Sequence, residues 1–313
     1  MTESPVYENA GYESPVYENV AHENVSQKNH ARPGIVAGVD PSDSASRAAD
    51  WAAREAVDRG VPLHLVHALG FPTALNVEAA DRYFRAGRQA AGRLLSRVGG
   101  ELRERYPDLE ITTEVSDLAA PEALVKLSRT AELLVTGTRG HGGFTGLLLG
   151  SVSLKIAAHA HCPVVVVRGE RPAGPPGEIV LGVEPYQAAA PIEFAFAAAA
   201  RRRVRLRAVR AWWPTPSYGE YDYDADPAVR EREGSIEVTK LLKQAREHHP
   251  GVAVTIDIVC GNAVPTLIEA ARGARMLVLG AHRRNSPLSV GVGYVIQGVL
   301  AHSATPVAVV PVV

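Results

Sequence analysis

The sequence predicts an α/β protein built from two tandem, doubly wound parallel sheets of five strands each. Short apolar runs alternate with longer stretches that carry apolar residues at helical spacing. The runs are apolar nearly throughout, which is typical of parallel strands covered on both faces. The whole pattern occurs twice along the chain. Strands that alternate with helices form right-handed βαβ units, so each copy should be a Rossmann-like layer.

The first copy shows the predicted elements in order. Its five strand candidates are IVAGVD (35–40), LHLVHAL (63–69), ITTEV (111–115), ELLVTG (132–137) and PVVVVR (163–168). The segments between them are rich in Ala, Arg and Glu, and SRAADWAAREAVDR at 46–59 is a representative helical stretch. In such folds ligands bind beyond the carboxyl ends of the strands. The residues that follow each strand are therefore the candidates for function.

The second copy is recognised from three blocks that return in the same order. IVAGVD at 35–40 returns as IVLGVE at 179–184, LVTG at 134–137 as LVLG at 277–280, and PVVVV at 163–167 as PVAVV at 306–310. These offsets of 144, 143 and 143 residues predict one domain at 34–169 and a second at 178–313. The segment between them, 170–177, is rich in Pro and Gly, as a linker should be.

The first 33 residues have a different character. ESPVYEN occurs at 3–9 and again at 13–19, in a polar and acidic segment that offers little to bury. We expect residues 1–33 to form a disordered tail. The repeat is either a slipped DNA copy without a role or a docking tail with Tyr7 and Tyr17 as modification sites.

Composition excludes several classes of function. The 313 residues include 33 Lys plus Arg and 34 Asp plus Glu, so there is no general attraction to nucleic acid or to an anionic membrane. No apolar run approaches the roughly 18–20 residues of a membrane span, and the first residues do not resemble a signal peptide. Two cysteines are too few for a disulfide framework. We expect a cytoplasmic protein with no nucleic-acid and no membrane partner.

A glycine-rich segment follows the fourth strand of the first copy. Six glycines lie between 137 and 150, and Ser151 follows them at the start of a helical pattern. Glycines let backbone N–H groups approach a ligand, and we expect Ser151 to cap the helix, whose first N–H groups favour an anion. The segment is therefore a candidate phosphate cradle, with a flexible glycine loop as the alternative. It lacks the Lys of a P-loop, and neither a dinucleotide fingerprint nor a nucleophile elbow occurs.

The spacing of Gly137, Gly140, Gly150 and Ser151 resembles the G-2x-G-9x-G-[ST] ATP motif of universal stress proteins. Together with IVAGVD and AHAHCPVVVVR, it makes the first copy look like a complete member of that family, and the resemblance extends over 34–313 as a tandem form. It implies an adenine-nucleotide α-hydrolase-like fold, with the final strands 163–167 and 306–310 paired about a pseudo-two-fold axis. The chain would then be an intramolecular pseudo-dimer, with a homodimer left open.

The resemblance also implies ATP as the ligand, with Mg²⁺ as an open addition, and it implies where ATP would bind. The acid that closes the first strand, Asp40, would meet the nucleoside, and Arg139 could pair with phosphate oxygens or be a solvated loop residue. The complete set of implied contacts is Gly38, Val39, Asp40, Ala68, Thr136, Gly137, Arg139, Gly140, Gly150, Ser151, Val152 and Ser153.

The second copy departs from the motif. Gly280 and Gly293 match the first and third glycines at the same spacing, but Arg283 replaces the second glycine and Tyr294 replaces the serine. Glu184 stands where Asp40 stood. Arg283 and Tyr294 add bulk to a site that depends on bare backbone, so we expect ATP in the first copy alone, with recruitment of phosphate by the charge of Arg283 as the alternative.

Two other groupings have simpler explanations than a site. His159, His161 and Cys162 look like a metal cluster, but we expect them to be packing residues, with no metal bound. The arginines between 201 and 210 suggest a nucleic-acid surface, but the pattern favours a helix end that leads into a strand.

The leading hypothesis is an ATP-binding regulator of the stress response that acts on an unidentified protein partner. It has no assigned catalytic residue, because the motif supplies N–H and hydroxyl donors but no evident base for hydrolysis. The alternatives are an interaction module that does not use nucleotide, and a slow ATPase or adenylating enzyme.

Overall fold

A computed structural model of the chain describes residues 34–70, 77–138, 149–168, 177–213, 226–282 and 292–312. The predicted tail at 1–33, with Tyr7 and Tyr17, and most of the predicted linker lie outside these residues.

All five strands predicted in the first copy are present, and each is followed or preceded by a helix. The elements of this half are β1 Ile35–Gly38, α1 Asp43–Arg59, β2 Leu63–Ala68, α2 Val77–Arg105, β3 Ile111–Ser116, α3 Ala120–Leu127, β4 Leu133–Gly137, α4 Ser151–His159 and β5 Val164–Val167. Helix α1 begins where Ser42 Oγ accepts the Ala45 N–H, and it ends at Gly60 in the left-handed conformation.

The second half repeats this order of elements. They are β6 Ile179–Gly182, α5 Ala189–Arg202, β7 Leu206–Trp212, α6 Pro227–His248, β8 Val254–Cys260, α7 Ala263–Ala270, β9 Met276–His282, α8 Tyr294–His302 and β10 Val307–Val312. The arginine-rich segment is a helix end that leads into a strand, as predicted, since α5 ends at Arg202 and β7 begins at Leu206.

The ten strands form one continuous sheet in the order β3-β2-β1-β4-β5-β10-β9-β6-β7-β8. Every pair is parallel except β5 and β10, which are antiparallel with Val165 opposite Ala308. The predicted pairing of the final strands is therefore confirmed, and it joins the two predicted five-stranded sheets into one. The physical reason is that β5 and β10 are buried apolar strands, which would be exposed edges if each half stood alone.

Helices cover both faces of the sheet. One apolar core lies between the sheet and α1, α2, α5 and α6, and the other lies between the sheet and α3, α4, α7 and α8. Within the described ranges, none of the helices combines the length and the apolar composition that a bilayer crossing requires.

Candidate functional site

The strand order creates a candidate site at the carboxyl end of β1. This strand lies between β2 and β4, so the chain leaves β1 and β4 toward opposite faces of the sheet. Such a switch point is where open α/β sheets bind ligands. Asp40, Ala68, Gly137 and Gly150 all lie at this edge, as the sequence predicted for residues that follow the strands.

Asp40 is held in a fixed orientation by the start of α1. Its Oδ1 accepts the Ser42 N–H at 3.0 Å and also the Ser42 hydroxyl. Ser42 in turn caps α1, because its Oγ accepts the Ala45 N–H at 3.1 Å. The carboxylate is partly exposed. The capping of α1 and the position of the acid are therefore coupled.

Gly137 is required by packing within the protein. A Cβ built at this position would lie 2.8 Å from both the carbonyl carbon and the carbonyl oxygen of Ser44, closer than real Cβ atoms come. The Thr138 N–H also donates to Ser44 Oγ at 3.0 Å. The sequence interpretation assigned this glycine to ligand approach. The structure adds a different cause, which is the close approach of α1 to the end of β4.

Two hydrogen bonds connect the end of β4 to the start of α4. The Gly150 N–H donates to the Thr138 carbonyl at 2.7 Å, and the Ser153 hydroxyl donates to the Gly137 carbonyl at 2.7 Å. Ser153 is 2% exposed. The hydrogen bond from the Ser153 hydroxyl therefore links α4 to β4. Arg139 and Gly140 lie outside the described residues.

The expectation that Ser151 caps α4 is wrong. The N-cap is Gly150, in extended conformation, and Ser151 is the first helical residue. An N-cap side chain accepts from the N–H groups one turn into the helix, and Gly150 has no side chain that could do so. Among the described residues no side chain caps this end, and the first turn contains no acid. The N–H groups at the start of α4 thus keep their preference for an anion, while the Ser151 side chain is exposed.

The neighbouring strand ends contribute a residue that the sequence analysis missed. His67 Nδ1 lies 2.7 Å from the Val39 carbonyl oxygen, and since a carbonyl only accepts, Nδ1 carries the hydrogen. The contact ties the end of β2 to the residue before Asp40. The sequence signal was present, because His67 directly precedes Ala68 at the end of a predicted strand.

The remaining predicted contacts are backbone or small side chains around these residues. Val39 and Thr136 are buried, while Ala68 and Val152 are partly exposed. A Cβ at Gly38 would come 3.2 Å from Leu124 Cδ1, so this glycine leaves room for α3. The structure thus brings the described members of the predicted set to one edge of the sheet.

The corresponding edge of the second half contains larger side chains, and two of them are hydrogen-bonded to each other. His282 Nε2 lies 2.6 Å from Glu184 Oε1, and the Glu184 N–H donates to Gln187 Oε1 at 3.1 Å. Gln187 is buried against Gly280, much as Ser44 lies against Gly137. Tyr294 is the first residue of α8 and is 73% exposed. Arg283 lies outside the described residues.

Of the candidate metal cluster, Cys162 is buried in the core, as expected of a packing residue, whereas His161 is exposed. Burial raises the pKa of the Cys162 thiol to about 12, so it remains protonated near neutral pH. The described residues contain no group of three or more His, Cys, Asp or Glu placed to hold a metal ion. Of the arginines, Arg201 and Arg202 pair with Glu55, Arg205 with Glu178, Arg207 with Asp257 and Arg210 with Glu237.

Comparison with known proteins matches the two halves separately and together. The sequence model of the universal stress protein family matches residues 33–168 and again 177–311. The universal stress protein Rv2623 of Mycobacterium tuberculosis is 32% identical over 292 residues, which are 88% of this chain and 95% of the relative. Rv1996 of the same organism, also named a universal stress protein, is 32% identical over 302 residues, 88% of this chain and 94% of the relative.

Among solved structures, a universal stress protein from Archaeoglobus fulgidus aligns with a TM-score of 0.67 at 16% identity, over 89% of this chain and 96% of that one. This likeness supports the fold, and the family matches extend over both halves of the sequence. The chain belongs to the universal stress protein family.

Proposed function

We propose that the first half binds one ATP molecule at the carboxyl end of β1, and that the protein acts as a nucleotide-binding regulator. The observation that carries this proposal is the start of α4, where Gly150 leaves the first N–H groups without a side-chain cap or a neighbouring acid among the described residues. Phosphate oxygens are the natural acceptors for such groups.

The other residues take roles that follow from their contacts. Asp40, oriented by Ser42, would accept hydrogen bonds from ribose hydroxyls. Val39 and Ala68 border the place expected for the adenine, and Arg139 and Gly140 would complete the phosphate contacts. Ser153 takes a positioning role, because its hydroxyl donates to the Gly137 carbonyl.

In this proposal Mg²⁺ would bind together with the phosphates of ATP. The described residues offer no cluster of acids or histidines to hold it, whereas Mg²⁺ commonly binds phosphate oxygens and water with one or two carboxylates. Asp40 is the acid that could contribute, and when bound the ion would neutralise phosphate charge.

Fast catalysis is not part of the proposal. Hydrolysis needs a positioned water and a group that accepts its proton. The groups assigned to the phosphates are N–H and hydroxyl donors, which hold charge without accepting a proton. The second candidate function, an interaction module that does not use nucleotide, is favoured by the second half, where Glu184 is already paired with His282.

Titration calorimetry of the full chain with ATP and with AMP tests the proposal. The decisive variant is Ser151→Asp, which places a carboxylate in the first turn of α4. A negative charge in the first turn stabilises the helix but repels phosphate. We therefore expect an intact fold and at least a tenfold weaker affinity for ATP.

The matched control is Tyr294→Asp, at the same position of α8. It makes the same change at a helix start and should leave the affinity for ATP unaltered. Equal affinities in the parent protein and in Ser151→Asp would show that α4 does not hold the phosphates.

A further inference from the structure

A cluster of three arginines surrounds one buried glutamate where the two halves of the chain meet. Glu55 lies on α1 and is 2% exposed. Its carboxylate accepts Arg59 Nε at 2.6 Å from the next turn, Arg201 Nη2 at 3.4 Å, and Arg202 Nη2. Arg201 and Arg202 are the last two residues of α5. We call this group the α1–α5 arginine cluster.

The cluster has more positive charge than the described residues neutralise. Among the described residues, Glu55 is the only carboxylate paired with any of the three guanidinium groups. Three positive charges against one negative charge leave an excess of two. Arg59 lies at the end of α1 and Arg201 and Arg202 at the end of α5, where each helix dipole supplies roughly half a negative charge. An excess of about one charge remains.

The hydrogen bonds are also incomplete. Each guanidinium has five N–H donors. The described residues give the three groups four hydrogen bonds, three to Glu55 and one from Arg202 to the Ala198 carbonyl. Arg59 Nη2 is buried and has no hydrogen-bond partner among the described residues, while the same guanidinium lies 5.7 Å from the centre of the Phe194 ring. Buried charged groups are normally both paired and hydrogen-bonded.

The internal repeat explains how the imbalance arises. The position in α5 that corresponds to Glu55 at an offset of 143 or 144 residues is Ala198 or Ala199. The junction therefore contains one acid where its pseudo-symmetry would allow two. The pKa of Arg201 is lowered, mainly by burial and next by the positive charge of Arg59. This direction agrees with repulsion between the guanidinium groups that Glu55 does not fully offset.

We propose that the α1–α5 arginine cluster binds a phosphate group, which supplies the missing negative charge and accepts hydrogen bonds from some of the remaining N–H groups. Guanidinium groups match phosphate oxygens with pairs of parallel hydrogen bonds. The Arg201 side chain is 27% exposed and provides access from solvent. The phosphate group comes either from inorganic phosphate or from a small phosphomonoester. Because Arg59 and Arg201 belong to different halves, the bound anion holds the halves together.

The test is thermal unfolding of the full chain without nucleotide. Inorganic phosphate, phenyl phosphate and potassium chloride at the same ionic strength are compared. At a phosphate concentration about ten times its Kd, we expect the midpoint to rise by about 2–4 °C, with little change in chloride. A rise with inorganic phosphate identifies the free anion as a ligand, and a rise with phenyl phosphate alone identifies a phosphomonoester. Equal rises in all three solutions, or none, would overturn the proposal.

Arg201→Gln is the decisive variant. It should abolish the response to phosphate, yet without phosphate its midpoint should equal or exceed that of the parent, because repulsion is relieved. Arg205→Gln, which removes a more exposed arginine paired with Glu178, should keep the response. Ser151→Asp should also keep it, which separates this cluster from the proposed ATP site. A phosphate response retained in Arg201→Gln, or a lower midpoint of that variant without phosphate, would contradict the proposal.

Discussion

The imidazole of His282 and the carboxylate of Glu184 are hydrogen-bonded, 2.6 Å from Nε2 to Oε1, and this contact joins the ends of β9 and β6. In the repeat, Glu184 occupies the position of Asp40 and His282 that of Arg139. Asp40 accepts its hydrogen bonds from Ser42, at the start of its own helix. The two halves therefore use the acid at the end of the first strand differently.

We expect one ATP per chain, bound in the first half. In the second half Glu184 is paired with His282, while Arg283 and Tyr294 replace the second glycine and the serine of the motif. Loss of one charge-assisted contact costs about 1.5–3 kcal/mol, or roughly ten- to hundredfold in affinity. Calorimetric titration should give a stoichiometry near one.

Removing the side chain that contacts Glu184 tests the same asymmetry. In His282→Ala the stoichiometry should stay near one, because Arg283 and Tyr294 are unchanged. Two sites of similar affinity in the parent chain would refute the asymmetry.

Gly137→Ala should destabilise the protein by about 1–3 kcal/mol, the usual cost of forcing an extra methyl group into a packed position. The new Cβ would collide with the Ser44 backbone, which cannot move without shifting α1. Gly92→Ala is the matched control, since a Cβ at this position of α2 meets no atom within 4 Å. It should stabilise the helix by about 0.5–1 kcal/mol. Urea unfolding measures both changes, and equal stability of Gly137→Ala and the parent would disprove the packing role.

The strands and the pairing of the two final strands could be predicted from the sequence. The strands follow from short apolar runs, and the β5–β10 pairing follows from two apolar final strands that would otherwise be edges. The exact N-cap of α4 could not be predicted, because Gly150 and Ser151 both suit a helix start and the backbone conformation decides between them.

The contacts that α1 makes with β4 and with α5 could not be predicted from the sequence. Ser44 and Gly137 are 93 residues apart, and Glu55 and Arg201 are 146 apart. Their contacts depend on how α1 packs on β4 and α5, which periodicity does not specify. From the sequence, Gly137 could therefore be interpreted only as a glycine that lets a ligand approach the backbone. Arg201 and Arg202 could be interpreted only as the end of a helix.

Ser153→Ala should cost about 1–3 kcal/mol, because it leaves the buried Gly137 carbonyl without the 2.7 Å hydrogen bond from the hydroxyl. Ser151→Ala is the comparison: its side chain is exposed, and its effect on stability should lie within about 0.5 kcal/mol. Urea unfolding of the two variants separates a positioning serine from a surface serine. The assignment fails if both substitutions have the same effect.

Glu55→Gln should be the most destabilising of these changes, at about 3–5 kcal/mol, because it leaves buried arginines without their common carboxylate. Burial acts to raise the pKa of Glu55, but the positive charges of Arg202 and Arg59 outweigh it and hold the pKa below its ordinary value. Stability from a lowered pKa is fully present above the unfolded-state pKa and is lost as the pH falls through the folded-state pKa. The difference in the free energy of unfolding between the parent and Glu55→Gln, which we call the gap, should therefore be constant from pH 7 to about 5 and shrink below pH 4. Urea unfolding across this range measures the gap, and Glu101→Gln, in an exposed pair with Arg97 at 3.5 Å, should show almost none. A gap that widens toward acid pH would mean that the carboxylate is not stabilised by the arginines.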